Sequence, residues 1–368
     1  MRILVTGANG FMGKNLLVRL KREKDFEILT FDVDNKEEDL FEYLKKADRV
    51  VHLAGINRPL TPEEYMQGNF GLTSRLAEFL EQQNKQIPII FSSSIQAELE
   101  NEYGKSKRAA EDRLRLYAEK TGASVSIFRF ANVFGKWCRP NYNSAVATFC
   151  HNIAHELSIT INDPNASLKL IYIDDVVDAI VKALEQPHEG FAFVDAGLVY
   201  ETTVGKVAEQ IRMLHDYRRK EFIPDFSDAF LKKLNTTYLS YVDTDKLALE
   251  PEIKSDNRGW LFELMKSPHA GQIFVSTTRP GYIRGNHYHD TKVEKFCLVK
   301  GKARITLRRV DAEEKIVYDV DDARIRVVDI PPGYTHSIEN TGSEDCIVLF
   351  WANEVFDSSR PDTYALEV

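Results

Sequence analysis

Two groups of residues in this 368-residue chain have the types and spacings that reaction chemistry needs. The first is His287, His289, Glu294 and His336. A His-x-His pair on a strand points to one face, because side chains alternate with period two. Glu294 across a turn and His336 from a later hairpin complete three imidazoles and one carboxylate. Such donors suit zinc, iron, manganese or nickel. Gly281, Gly301 and the run Pro331-Pro332-Gly333-Tyr334-Thr335-His336, with Asn340 following, supply turns around the set. The second group is Tyr103 and Lys107, which share one helix face, preceded by Ser92-Ser93-Ser94 at a strand end. The Lys107 ammonium is expected to lower the Tyr103 pKa by favouring phenolate. Beside a nicotinamide, a tyrosine that relays a proton and a serine that hydrogen-bonds the same oxygen make a carbonyl/alcohol redox site.

These side chains need elements to hold them. A strand over residues 2–5 runs into Gly7, Gly10 and Gly13 and then a helix-like segment from Lys14. A strand, a tight glycine turn and a helix N-terminus place backbone N–H groups where a pyrophosphate can sit. Asp32, at the end of the strand over 26–31, is placed to accept from an adenosine ribose and to repel a 2′-phosphate, which favours NADH. Further strands are expected at 49–54, 88–91 and 124–130, the last continuing into Asn132, with a helix from Tyr103 to about Lys120. Residues 243–256 are charged, carry Pro251 and read as a linker. Beyond them, strand-like runs at 272–277, 295–299, 303–309, 315–320, 324–328 and 346–351 predict an all-β barrel or sandwich.

Composition sets the class. The length predicts two domains, placed at 1–245 and 246–368. Hydrophobic residues at 43% fill two cores, and a net charge of −8 argues against nucleic acid or an anionic membrane as a general partner. Four scattered cysteines without a CxxC pair fit a reducing cytoplasm. No apolar run approaches the roughly 20 residues that span a bilayer, and the chain starts on a strand, so neither membrane insertion nor a signal peptide is expected.

The glycine spacing resembles that of the extended short-chain dehydrogenase/reductases, which implies a Rossmann-type doubly wound parallel sheet. That resemblance implies cofactor contacts at Gly7, Asn9, Gly10, Phe11, Met12, Gly13 and Asp32, at Leu53 and Ala54 of His52-Leu53-Ala54-Gly55, and at Tyr103 and Lys107. By resemblance to the sugar-nucleotide epimerases and dehydratases of this class, Ser94 is the catalytic serine with Tyr103 and Lys107, and Ser93 is the fallback. Arg129, Asn132 and Gly135 match that class's Arg-x-x-Asn-Val-Tyr-Gly segment, with Phe134 in place of the tyrosine, which implies that Asn132 faces a sugar nucleotide. Residues 136–143 add cations and aromatics, Arg139 among them, suited to a uridine diphosphate. The stretches 281–301 and 331–340 resemble the paired motifs of the cupin family, a small β-barrel. Ile325 stands where that family usually has a glycine.

Over its whole length the chain resembles bifunctional enzymes of capsular polysaccharide synthesis, including residues 136–144, 285–289 and 361–364. That resemblance implies an NADPH-dependent reductase and a zinc cupin, although another divalent metal would suit the ligands. It also implies a UDP-amino sugar substrate and a homodimer joined through the cupin. The implied product is UDP-2-acetamido-2,6-dideoxy-L-talose, on the route to UDP-N-acetyl-L-fucosamine. A ketone links the halves: hydride adds to its carbonyl carbon, while metal polarisation makes the neighbouring C–H acidic. Two rivals are a plain reductase whose barrel serves binding or dimerisation, and an iron dioxygenase.

Overall fold

The computed structural model describes residues 1–22 and 25–368. They divide into two compact units, one of Met1–Arg212 with Lys233–Val242 and one of Met213–Lys232 with Asp243–Val368.

In the first unit, short apolar runs bounded by turns become strands β1 (Arg2–Thr6), β2 (Glu27–Phe31), β3 (Arg49–His52), β4 (Ile89–Ser94) and β5 (Val125–Phe130), followed by β6 (Asn132–Phe134), β7 (Ser167–Tyr172), β8 (Phe191–Phe193) and β9 (Val199–Thr203). One parallel sheet has the order β2-β1-β3-β4-β5-β8, so the winding reverses next to β1. Ligands bind such sheets beyond the carboxyl ends of the strands at this reversal. The strands read as nearly continuous apolar runs because helices cover both faces. Leu4, Val50, Ile89, Phe91 and Val125 pack with Leu114 and Tyr117 in its core.

Two glycines are fixed by close approach. A Cβ on Gly13 would lie 2.2 Å from the Gly7 carbonyl oxygen, so only glycine lets the helix Phe11–Leu20 start against the turn. A Cβ on Gly104 would lie 2.1 Å from the Gln96 carbonyl oxygen, which seats the helix Glu102–Thr121 on the 3₁₀ turn Ile95–Glu98. Asn101 caps that helix by accepting from the Gly104 N–H at 2.7 Å.

The expected continuation of β5 into Asn132 is corrected. Residues Asn132–Phe134 leave the main sheet and pair with β7 in a separate sheet of order β6-β7-β9.

The second unit holds β10 (Lys254–Asp256), β11 (Gly259–Ser267), β12 (Gly271–Thr278), β13 (Ile283–Tyr288), β14 (Glu294–Lys300), β15 (Lys302–Arg309), β16 (Lys315–Asp321), β17 (Val327–Ile330), β18 (Tyr334–Asn340), β19 (Cys346–Ala352) and β20 (Tyr364–Ala365). They form two sheets, β10-β11-β12-β19-β14-β17 and β16-β15-β18-β13-β20. Neighbouring strands run antiparallel. Alternation along β14, β15 and β19 turns Phe296, Leu298, Ile305, Leu307, Val348 and Phe350 into one core. The run expected from Arg324 becomes a strand only at Val327. The Asp321 carboxylate accepts the N–H groups of Ala323 and Arg324, a local turn that competes with the ladder. The expected linker likewise contains β10.

Candidate functional site

In the first unit the carboxyl ends of the strands open onto a cavity of about 470 Å³. Asn9, Gly10, Phe11 and Met12 of the glycine turn line it, with Leu53, Ser94, Tyr103, Lys107, Asn132 and Arg139. Gly7, Gly13 and Ala54 lie outside its lining, and a Cβ on Gly7 would sit 2.7 Å from the Ala54 nitrogen, so these residues support the turn from beneath. The Asp32 carboxylate accepts the Asn9 N–H at 2.6 Å and the Val33 N–H at 2.8 Å, which ties the end of β2 to the turn.

The three serines separate by strand alternation. Ser93 points away from Ser92 and Ser94; it is 4% exposed and its hydroxyl donates to the Glu111 carboxylate at 2.5 Å. Arg129 clamps the same carboxylate at 2.9 and 2.6 Å. Ser94 instead hydrogen-bonds the Tyr103 side chain. Lys107 is buried, donates to the Ser92 carbonyl at 2.9 Å and lies 6.0 Å from the Tyr103 ring centre.

The expected lowering of the Tyr103 pKa is corrected. Burial pushes the phenol up to about 12, only partly offset by the Ser94 hydrogen bond. Burial also lowers Lys107 to about 8 against the pull of the Glu111 carboxylate, since a buried ammonium loses its water. Tyr103 is therefore held as the protonated acid, the form that gives a proton to a developing alkoxide.

Substrate-side expectations fall on the same cavity. The Asn132 amide donates to the Lys169 carbonyl at 3.2 Å, and the Arg139 guanidinium lies 5.2 Å from the Tyr142 ring centre. A nicotinamide dinucleotide suits this arrangement: a glycine turn at a helix N-terminus forms one wall, with Tyr103 and Lys107 on another.

In the second unit, His287, His289, Glu294 and His336 bring their ligand atoms within 4.8 Å of one another. Register explains part of this. His287 on β13 faces His336 on β18, and Glu294 opens β14. His289 lies one residue beyond the end of β13 and, two positions after His287, joins the same set as alternation predicts; the irregularity between Gly285 and His287 precedes both. Nε2 of His289 and Nε2 of His336 lie 3.3 and 3.2 Å from Oε2 of Glu294, close enough to attract but not aligned as hydrogen bonds. All three atoms are buried without a hydrogen-bond partner. Buried polar atoms otherwise nearly always find one, so a divalent cation fits the set.

Charge favours the ligating forms of His287 and Glu294, while His289 is shifted the other way. Burial and the neighbouring His336 and His289 lower His287 to about 4, which keeps it neutral. Burial raises Glu294, but His289 and His336 outweigh it and bring the carboxyl to about 2. Burial lowers His289, yet Glu294 and the Asp362 carbonyl raise it overall. Residues 361–364 carry part of the whole-chain resemblance, but over the 73 positions between Asp362 and His289 no spacing assigns one to the other. Glu111 was overlooked too, although its place one helical turn beyond Lys107 was a usable signal.

Residues 3–195 match the NAD dependent epimerase/dehydratase family, and residues 254–364 match the polysaccharide biosynthesis C-terminal domain. The chain is 42% identical over 368 residues to the UDP-2-acetamido-2,6-beta-L-arabino-hexul-4-ose reductase of Pseudomonas aeruginosa, covering 100% of this chain and 99% of that one. Its structure is similar to the crystal structure of the capsular polysaccharide assembling protein CapF from Staphylococcus aureus, with TM-score 0.92, 42% identity and full coverage of both chains. The fold of the UDP-glucuronic acid 4-epimerase from Bacillus cereus also matches, at 20% identity and TM-score 0.53, over 59% of this chain and 84% of that one. The chain thus belongs to the NAD dependent epimerase/dehydratase family, in a two-domain form with a polysaccharide biosynthesis C-terminal domain, and is an enzyme of that family.

Proposed function

We propose that this chain is a bifunctional sugar-nucleotide enzyme of capsular polysaccharide synthesis. Its cupin domain, residues 246–368, epimerises C3 of a UDP-4-keto-6-deoxy-N-acetylhexosamine. Its reductase domain, residues 1–245, then reduces C4 with NADPH or NADH. The product is UDP-2-acetamido-2,6-dideoxy-L-talose, on the route to UDP-N-acetyl-L-fucosamine. The observation that carries this reading is one chain holding both a Ser94–Tyr103–Lys107 cavity and a buried His₃Glu set. The relative named for reduction of a hexul-4-ose agrees with it.

In the reductase, a bound reduced nicotinamide supplies hydride to C4. Tyr103, kept protonated by burial, gives its proton to O4, and Ser94 donates a hydrogen bond to the same oxygen. Lys107 holds the nicotinamide ribose and balances the phenolate left behind. Asn132 and Arg139 face the sugar and the diphosphate. In the cupin, His287, Glu294 and His336 would hold the metal, with His289 as fourth ligand or as a nearby acid or base. Zinc or another divalent metal, when bound there, would supply Lewis-acid polarisation of the C4 carbonyl, which would acidify the C3 proton. The protein acts in the cytoplasm as a homodimer through its cupin domains.

Product identification tests this. The protein is given the UDP-4-keto-6-deoxy-N-acetylhexosamine with NADH or NADPH, and the C3 and C4 configurations are read by NMR. A product reduced at C4 with C3 unchanged leaves the cupin as a binding module.

A further inference from the structure

The last residues of the chain are built into the His₃Glu set. β20 pairs with β13, placing Ala365 opposite His287 and Tyr364 opposite Tyr288. The Leu366 N–H donates to the Asn286 carbonyl at 3.0 Å, and Thr335 donates to the Leu366 carbonyl. Just before β20, the Asp362 carboxylate accepts the backbone N–H groups of Asp290, Thr291 and Lys292 at 2.9, 3.0 and 2.8 Å, and the Thr291 hydroxyl at 2.9 Å. Lys292, its side chain 5% exposed, adds a bond from its ammonium to the Pro361 carbonyl at 2.8 Å. These groups lie in the turn between His289 and Glu294. The Asp362 backbone is left-handed, with φ 41°, a conformation costly for most residues but tolerated by Asp and Asn. That turn of the chain aims the Asp362 carbonyl oxygen at Nδ1 of His289, 2.5 Å away.

We propose that Asp362 is a positioning residue for the metal site: its carboxylate latches the C-terminal segment onto residues 290–292, and its carbonyl oxygen thereby holds His289 with Nε2 facing Glu294 and His336. A carbonyl accepts only from a protonated ring nitrogen, so the contact fixes the proton on Nδ1 and leaves the Nε2 lone pair free for a cation. The carboxylate and the carbonyl of one residue thus do different work. The side chain supplies the anchor and the backbone supplies the orientation. This inference rests on the metal-site reading above and adds to it a second layer contributed by the chain's end.

The test uses the full chain loaded with zinc, and follows zinc transfer to a colorimetric chelator. It compares wild type, Asp362→Ala, Asp362→Asn and a chain ending at Arg360. Loss of such outer partners typically costs 10–100-fold in metal affinity. Asp362→Ala and the shortened chain should therefore release zinc at least tenfold faster. Asp362→Asn, which keeps an acceptor oxygen and tolerates the left-handed backbone, should fall between them and wild type. Spectra of ¹⁵N-histidine protein should show one imidazole losing its fixed Nδ1–H form in Asp362→Ala. Wild-type release rates in all three variants, or a lower Tm without change in release or in the imidazole signals, overturn the positioning role. If wild type takes up no zinc or other divalent metal, the metal-site reading falls and this inference with it.

Discussion

The Ser93 hydroxyl meets the Glu111 carboxylate at 2.5 Å, inside the first unit and on the face of β4 opposite Ser94. The proposed reaction therefore gives Ser93 no part, since its hydroxyl is spent on the Glu111 carboxylate, which is itself paired with Arg129. Ser94→Ala is expected to lower kcat for reduction about 100-fold. Ser93→Ala should instead cost about 2 kcal/mol of stability, the worth of a hydrogen bond to a charged group. Turnover numbers and denaturation midpoints for the two variants check this, and a reversed pattern would return the role to Ser93.

Tyr103→Phe removes only the hydroxyl proposed to donate the proton. Reduction should fall by 10²–10⁴-fold, the range of general acid catalysis. NADPH and NADH dissociation constants should stay within about threefold, as this hydroxyl makes little of the cofactor contact. Normal oxidation of the reduced nicotinamide by the ketosugar in this variant would contradict the assignment.

Asp32 supplies a third expectation. Its carboxylate is fixed on the glycine turn by the Asn9 N–H, where an adenosine ribose would approach. A 2′-phosphate there meets a negative charge in a partly buried setting. NADH should therefore be used at least as well as NADPH, and Asp32→Ala should shift kcat/KM toward NADPH. A strong NADPH preference in the unaltered chain would mean that the carboxylate turns away from the ribose.

Lys107 gives a pH signature. Its pKa is about 8 in the folded chain because of burial, against about 10.4 for an unfolded lysine. Between those values the unfolded chain binds more protons, so this group's contribution to stability rises with pH. It is least favourable below pH 8 and levels off above about 10.4. Denaturation of wild type and Lys107→Met from pH 7 to 10 isolates the effect. Wild type should gain on the variant as pH rises, and a flat difference would contradict a depressed Lys107.

Local spacing made much of this protein legible. Gly7, Gly10 and Gly13 sit at a strand–helix junction, and Tyr103 and Lys107 sit one helical turn apart, so their placement follows from backbone geometry. His287 and His336 became neighbours through strand pairing, which motif spacing anticipated without a register. Other features depend on distance through space. The direction of the Tyr103 shift is set by burial, which no local pattern records. Ser93 and Ser94 were separable by strand alternation, yet resemblance alone had ranked them. The break after Phe130 depends on β7 offering a partner nearly forty residues on. Asp362 reaches His289 only because β20 closes against β13.

The proposed division of labour puts proton chemistry at C3 in the cupin and hydride chemistry at C4 in the reductase. The most direct measurement incubates the ketosugar with enzyme in deuterated water without any nicotinamide, and reads C3 by NMR. One deuterium should appear at C3 with wild type and with Tyr103→Phe, and none with chelator-stripped enzyme or His336→Ala. Exchange that survives complete metal removal, or exchange that requires Tyr103, would contradict the account.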